Sequence, residues 1–421
     1  MNSRNKHIGR SQNLDLYGVT IKATRKDHLI GTDDKEYIDL LSSASSLPLG
    51  YERDDLVQAF VDQCKKVPHT CTVYTFVPVV EEYAKKLIKT SKIPGAKVLL
   101  GAFGSDSIDA ALKCAQAYTK KKKFIAFEKA YHGGTFLSLA SNGFEGLKEN
   151  LHLPKLFTHL PYPTKEHCKK TLATIEKILK KGDTAALIME TILGDGGILK
   201  PDPEFYKKIK TLLHQYGAIL IFDEIQTGMG RTGKFWGYEN FNIKPDLFCT
   251  AKGLGGGYTA LSACIGRGEV IDSLKNCQNA FTLSAHPGSC AIGIRVIDAI
   301  YEEKIFDNVK KIHKILKKEF ETHLKGNQYF QEVRGMGLML GVALKSEHSI
   351  GPHIGKICLK NGAYIGYYGA NNNVLRIHPA LNIDEKTAIE GAQRVIKSIL
   401  EFEKNKDKHM KSGKYLSFFT N

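Results

Sequence analysis

Residues 185–225 read AALIMETILGDGGILKPDPEFYKKIKTLLHQYGAILIFDEI. Two nearly continuous apolar runs, AALIMETI (185–192) and AILIFDEI (218–225), flank DPEFYKKIKTLLHQYG (202–217), which carries the spacing of an amphipathic helix. A short strand that is apolar on both faces is buried on both faces. A helix between two such strands returns the chain so that they lie parallel. The pattern extends outward: KVLLGAF (97–103) and KFIAFEKA (123–130) precede it, with the helical SDSIDAALKCAQAYTKKKK (105–123) between them. DLFCTAK (246–252) and SACIG (262–266) follow. The expected fold class is therefore α/β, with a large, mainly parallel sheet covered by helices on both faces.

After Pro287 the pattern changes. A long helical region (290–324) leads to EVRGMGLMLGVAL (332–344), read as a strand pair. NNVLRIHPALNI (372–383) reads as a short strand, and DEKTAIEGAQRVIKSILEFEK (384–404) as a closing helix. The expected division is an N-terminal segment (1–50), a large domain (51–299) and a smaller α+β domain (300–421). The N-terminal segment, with short antiparallel strands around TDDKEY (32–37), is expected to join the small domain.

Of the 421 residues, 42% are hydrophobic and 25% charged, the balance of a soluble globular protein with ample core. No apolar run reaches the roughly 18 residues that span a bilayer. The opening MNSRNKHIGRSQN has no apolar stretch of the secretory kind. Net charge is +16, but the lysines fall in short dispersed clusters such as 120–123 and 310–311, which reads as a solvated surface and not as a nucleic-acid face. The nine cysteines follow no metal-ligand spacing; most lie in apolar segments and read as buried thiols. The expectation is a cytoplasmic protein with no metal, no nucleic-acid partner and no membrane partner.

Three ionisable residues stand at the ends of three apolar runs: Glu190, Asp223 and Lys252. In an open parallel sheet ligands bind at the carboxyl ends of the strands, so neighbouring units aim all three at one crevice. A buried ion pair is the purely structural alternative. GAFGSDSIDAALK (101–113) is a strand, a glycine turn and a helix opening at Ser105 or Asp106, where free N–H groups and the helix dipole favour an anion. FEKAYHGGT (127–135) brings Tyr131 to a strand's end beside glycines. GMGRTGKF (228–235) mimics nucleotide motifs, but Phe235 stands where a P-loop needs Ser or Thr, and no helix follows. An anion cradle, an aromatic, an acid and a lysine suit pyridoxal phosphate. The lysine forms the Schiff base, which requires its deprotonated form, and the acid pairs with the pyridinium nitrogen.

FGSDS, YHGGT, ETILGDGG, FDEIQTGMGRTG, TAKGLGGG and LRIHPALNI, in this order and spacing, resemble the class III aminotransferases, pyridoxal phosphate enzymes of fold type I. The resemblance covers almost the whole chain. It implies Lys252 as the Schiff-base lysine and Asp223 as the partner of the ring nitrogen. Gly104 and Ser105 would hold the phosphate. Tyr131 would stack on the ring with His132 beside it, Ile225 would cover the other face, and Gln226 would contact the phenolic oxygen. Glu190 and Asp195 match acidic positions near the substrate, and Arg376 matches the arginine that binds the substrate carboxylate. The resemblance also implies a homodimer in which Thr282 reaches the phosphate of the partner subunit.

Departures from the pattern bear on the reaction. Members similar to 4-aminobutyrate or ornithine aminotransferases carry an arginine where this chain has Gly134. Thr191, Leu193 and Asp195 replace the usual Pro, Gln and Glu. SSASSLPLGYERDD (42–55) and GSDS (104–107) resemble the amino-acid racemase and epimerase branch, whose best-known member acts on isoleucine. The expected function is an aminotransferase moving an amino group between an amino acid or amine and a 2-oxo acid. The alternative is an amino-acid 2-epimerase or racemase, isoleucine 2-epimerase-like, using the same lysine. 4-Aminobutyrate aminotransferase activity is disfavoured by the missing second arginine, and a basic binding protein without catalysis by the presence of both Lys252 and Asp223.

Overall fold

Strands β1 (Ile21–Arg25), β2 (His28–Gly31) and β3 (Glu36–Asp39) run antiparallel at the start of the computed structural model, which describes residues 7–12, 17–369 and 371–405. Much of the polar opening stretch lies outside those residues. β4 (Ala96–Gly101), β5 (Lys123–Phe127), β6 (Phe157–Leu160), β7 (Thr184–Glu190), β8 (Ile219–Asp223), β9 (Leu247–Thr250) and β10 (Ser262–Arg267) form one sheet in the order β4-β10-β9-β8-β7-β5-β6. β9, β8, β7, β5 and β6 are mutually parallel, as the alternation of apolar runs and helices predicts. Every residue of β7 and β8 is buried. Each large apolar side chain so buried contributes about 1.5–3 kcal/mol.

β10 is the exception. It pairs antiparallel with both β9 and β4. The connection from β9, residues 251–261, is too short for the crossover of a dozen or more residues that a parallel strand needs. The long helical region is likewise two helices, Pro287–Glu302 and Ile305–His323, broken where Lys304 adopts φ 51°.

β11 (Phe330–Met336) and β12 (Met339–Leu344) form the expected strand pair. With β13 (Ala363–Tyr364), β14 (Gly366–Tyr368) and β15 (Val374–Ile377) they complete the strands. β11-β12-β15-β14 is an antiparallel sheet, whereas β13 pairs parallel with β3 and so ties the N-terminal strands to the C-terminal part of the chain. One apolar cluster runs continuously from Ile38 and Leu40 through Phe222 and Phe248 to Phe402.

Strand order positions the site. β7, β8 and β9 are adjacent, and their register sets Glu190 opposite Asp223 and Asp223 opposite Cys249. Lys252 follows two residues beyond the end of β9.

Candidate active site

Lys252 leaves its strand with φ 47°, a left-handed conformation that costs an L-residue about 1–2 kcal/mol. Gly256 and Gly257, at φ 64° and 84°, then turn the chain tightly away. Burial, followed by repulsion from Arg376, lowers the pKa of the lysine amine to about 8, against the opposing pull of Asp195, Asp223 and Glu190.

Asp223 ends β8 with its carboxylate buried. Oδ1 accepts from the Ile225 N–H at 3.0 Å, and Oδ2 lies 2.8 Å from His132 Nδ1. A carboxylate there makes Nδ1 the protonated nitrogen of His132. The buried Nε2 of that ring has no partner among the described residues. Glu190 accepts from the N–H groups of Tyr131 (3.0 Å) and Gly194 (2.8 Å). Burial, reinforced by Asp223 and Asp195, drives its pKa well above the usual carboxylate range.

The helix Gly104–Thr119 starts one residue before Ser105 and two before Asp106, the two openings its sequence predicts. Asp106 caps it, accepting from Ala102 N (2.9 Å), Phe103 N (3.0 Å) and Ser262 Oγ (2.6 Å). The N–H groups of Gly104 and Ser105 belong to a first turn, which has no acceptors inside the helix. Glycine is needed at position 133, where φ is left-handed, while position 104 is close-packed. A Cβ on Gly104 would come 2.8 Å from Ile225 Cδ1, and one on Gly133, at φ 129°, 2.5 Å from Ser105 Cβ. A Cβ on Gly134 would meet nothing within 4 Å.

Gly104, Ser105, Tyr131, His132, Glu190, Asp223, Ile225, Gln226 and Lys252 line a single cavity of about 390 Å³. Ala102, Phe103, Gly133, Gly134, Ala251 and Gly257 also line it, as do Ser46, Thr259, Ala260 and Leu261, whose roles the sequence did not single out. Thr282 is exposed and stands outside this cavity. Arg376 and Asp195 also stand off its surface, one layer behind Gln226. Gln226 Oε1 accepts from Arg376 Nη2 at 3.0 Å, and Gln226 Nε2 donates to Asp195 Oδ1 at 3.3 Å. Arg376 Nη1 donates to Asp195 Oδ1 at 3.3 Å, and the guanidinium lies 4.6 Å over the Tyr368 ring. Arg376 also donates from Nε to His378 Nδ1 and from Nη2 to Ser45 Oγ. Residues 42–55 signalled only a resemblance, so no sequence signal singled out Ser45 or the ring of His378.

Two glycines packed without room for a Cβ, a helix start, an acid held by histidine and a weakly basic lysine share one cavity. These residues fit pyridoxal phosphate: the helix start for the phosphate, Asp223 for the ring nitrogen, and Tyr131 and Ile225 for the two faces. An acid and a lysine from adjacent strands of such a sheet define a fold type I pyridoxal phosphate site. The aminotransferase class-III family matches residues 11–400. The chain is similar to the leucine/methionine racemase of Thermococcus litoralis (31% identical over 89% of each chain) and to the acetylornithine aminotransferase of Aquifex aeolicus (33% identical, covering 89% of this chain and 94% of the other). A transaminase structure from the marine bacterium Virgibacillus superposes with a TM-score of 0.88 at 25% identity, over 92% of this chain and 94% of that one. This chain belongs to the class III aminotransferase family, and its cofactor is pyridoxal 5'-phosphate.

A lysine that captures a carbonyl cofactor must be neutral, and Lys252 is the lysine we propose for that role. The rate of capture by the empty protein is expected to rise with pH and level off above about 8, the value to which the amine is lowered. Below that, each pH unit should cost about tenfold, because acid protonates the amine. Stopped-flow absorbance of cofactor binding measures this; a rate that falls with rising pH would contradict it.

Proposed function

We propose that this enzyme moves an amino group between an amino acid and a 2-oxo acid, with Lys252 as both the anchor of the cofactor and the carrier of the proton. The observation that carries the reading is the pairing, in one cavity, of the weakly basic Lys252 with an Asp223 carboxylate held by His132 and a backbone N–H. When bound, pyridoxal phosphate supplies an electron sink that makes the Cα proton of a bound amino acid acidic. Lys252, released by the substrate amine, takes that proton. Delivery of that proton away from Cα, followed by hydrolysis with water, would release the carbon skeleton as the oxo acid and leave the nitrogen on the cofactor, from which a second oxo acid would take it in ping-pong order. With the cofactor bound, Asp223 would stand at the ring nitrogen and Gln226 at the phenolic oxygen, and Glu190 would stand beside Tyr131 at the cavity wall.

The substrate class we propose is a monocarboxylate amino acid with a neutral side chain. Arg376 takes its carboxylate in place of Asp195 and Gln226. Gly134 leaves open space with no second cation. Arg376→Lys loses the planar fork, and KM for the amino acid is expected to rise roughly tenfold or more, read from initial rates. An unchanged KM would remove Arg376 from substrate binding.

A second reading, amino-acid racemisation or epimerisation, is favoured by the similarity to the leucine/methionine racemase and by Asp195, a further acid behind Gln226. Returning the proton to the opposite face of Cα inverts the centre. Incubation with one amino acid and no oxo acid separates the two. Release of oxo acid supports transfer, and loss of optical rotation without oxo acid supports inversion.

We also propose a homodimer. Tyr74 (84% exposed), Phe76 (73%), Phe103 (65%) and Leu283 (63%) offer apolar surface beside the cavity's helix start and around Thr282, which fits a role across the interface. The loops that carry Tyr74 and Leu283 are joined by a Thr72 Oγ1 bond to Ser284 O at 3.0 Å. No helix among the described residues is long and apolar enough to cross a membrane. Nine cysteines, none in a disulfide, support a cytoplasmic setting. We also propose that the chain divides into an N-terminal segment (1–50), a large domain (51–299) and a small domain (300–421).

A further inference from the structure

We propose that His378 and Ser45, neither of which touches the cavity, are positioning residues that fix the guanidinium of Arg376. The proposal rests on the reading of Arg376 as the carboxylate-binding residue. Arg376 Nε donates to His378 Nδ1 at 2.9 Å, and Nη2 donates to Ser45 Oγ at 3.1 Å. Ser45 Oγ also lies 2.9 Å from His378 Nδ1. Arginine Nε can only donate, so His378 Nδ1 accepts and the ring carries its proton on Nε2. That Nε2 is buried and has no hydrogen-bond partner among the described residues, so the hydrogen bonds of the ring all lie on its Arg376 side. Burial, followed by Arg376, Arg231 and Lys252, holds its pKa well below the usual histidine value. The ring thus remains an acceptor and does not become a competing cation.

The frame behind this pair is rigid. His378 N donates to Leu40 O at 2.7 Å, and its carbonyl accepts from Ser42 Oγ at 2.6 Å. Ser42, Ser43, Ala44 and Ser45 are four consecutive left-handed residues, at φ 40°, 48°, 56° and 71°. L-residues rarely adopt this in series. Asp39 Oδ1 holds the turn, accepting from Leu41 N and Ser42 N at 2.9 Å each, and Tyr51 holds Asp39 Oδ2 at 2.8 Å. Strained backbone that the surroundings over-determine is a mark of a functional position. Here it delivers one hydroxyl to the arginine. Nε and one edge of Nη2 are then tied to the fold, while Asp195 and Gln226, at 3.0–3.3 Å, occupy the positions that a carboxylate can take over.

The test uses the cofactor-loaded enzyme and its best amino-acid substrate. His378→Ala is expected to raise KM roughly tenfold, the effect of one hydrogen bond to a charged group, with kcat and cofactor Kd nearly unchanged. His378→Asn, whose amide oxygen can accept from Nε, should restore most of the loss. Ser45→Ala should raise KM in the same direction. An unchanged KM in His378→Ala, beside a raised KM in Arg376→Lys, would overturn the proposal while leaving the role of Arg376 intact. So would an Asn variant as poor as the Ala one, or a parallel fall in cofactor affinity, which marks a general structural defect. An unchanged KM in Arg376→Lys would remove the underlying reading and the proposal with it. If His378→Ala does not fold, Ser45→Ala decides alone, and an unchanged KM there overturns the proposal.

Discussion

Replacing Lys252 by alanine is expected to lower turnover by about 10⁴-fold or more, the upper end of what one positioned proton carrier contributes. The residue is proposed to have two tasks, anchoring the cofactor and moving the substrate proton, and no other lysine among the described residues lines the cavity. Asp223, Glu190 and Asp195 cannot take over, because none can form the covalent link to a carbonyl carbon. Fold should survive. Alanine keeps the Cβ and so the strain of the left-handed position, but it removes an amine whose charge the surroundings disfavour. The variant should still bind the phosphate end of the cofactor through the helix start at Gly104. Lys252→Arg should fail equally, since a guanidinium does not deprotonate. Steady-state rates together with cofactor titration separate these effects. Activity within tenfold of the parent would contradict the assignment.

Asp223→Asn is the second large effect. The side chain keeps its volume, and its amide oxygen can still accept from His132 Nδ1 or from the Ile225 N–H, so the cavity is preserved. The negative charge is lost. Removing one such buried electrostatic partner from a reaction typically costs about 10²–10³-fold in kcat. The same change removes one of the groups that raise the pKa of Lys252, so the limb of the pH profile governed by that amine should move to lower pH. A variant with the parent's kcat and an unmoved profile would place the charge needed by the ring elsewhere.

Much of the fold was legible because the central strands are apolar on both faces, which leaves little else that 185–192 or 218–225 could be. Lys252, Asp223 and Glu190 were legible for the same reason, as ionisable groups closing runs that otherwise exclude charge. Direction was not. Nothing in SACIG states that β10 runs against its neighbours; the short connection after Lys252 does. The break at Lys304 has no proline or glycine to announce it. The surroundings of Arg376 were legible least. Ser45, Asp195, Gln226 and His378 come from four separate segments, and only tertiary packing makes them neighbours. Gly134 shows the opposite case, a residue whose meaning lay in what the sequence lacked there and whose open surroundings the structure then supplied.

Lys252 is proposed as the covalent anchor of the cofactor. Borohydride reduction of the cofactor-loaded protein, followed by proteolysis and mass mapping, tests it directly. The pyridoxyl-phosphate mass should be fixed on the peptide containing Lys252 and absent from the Lys252→Ala protein treated in the same way. Its recovery on any other lysine, or its undiminished retention by the alanine variant, would contradict the account.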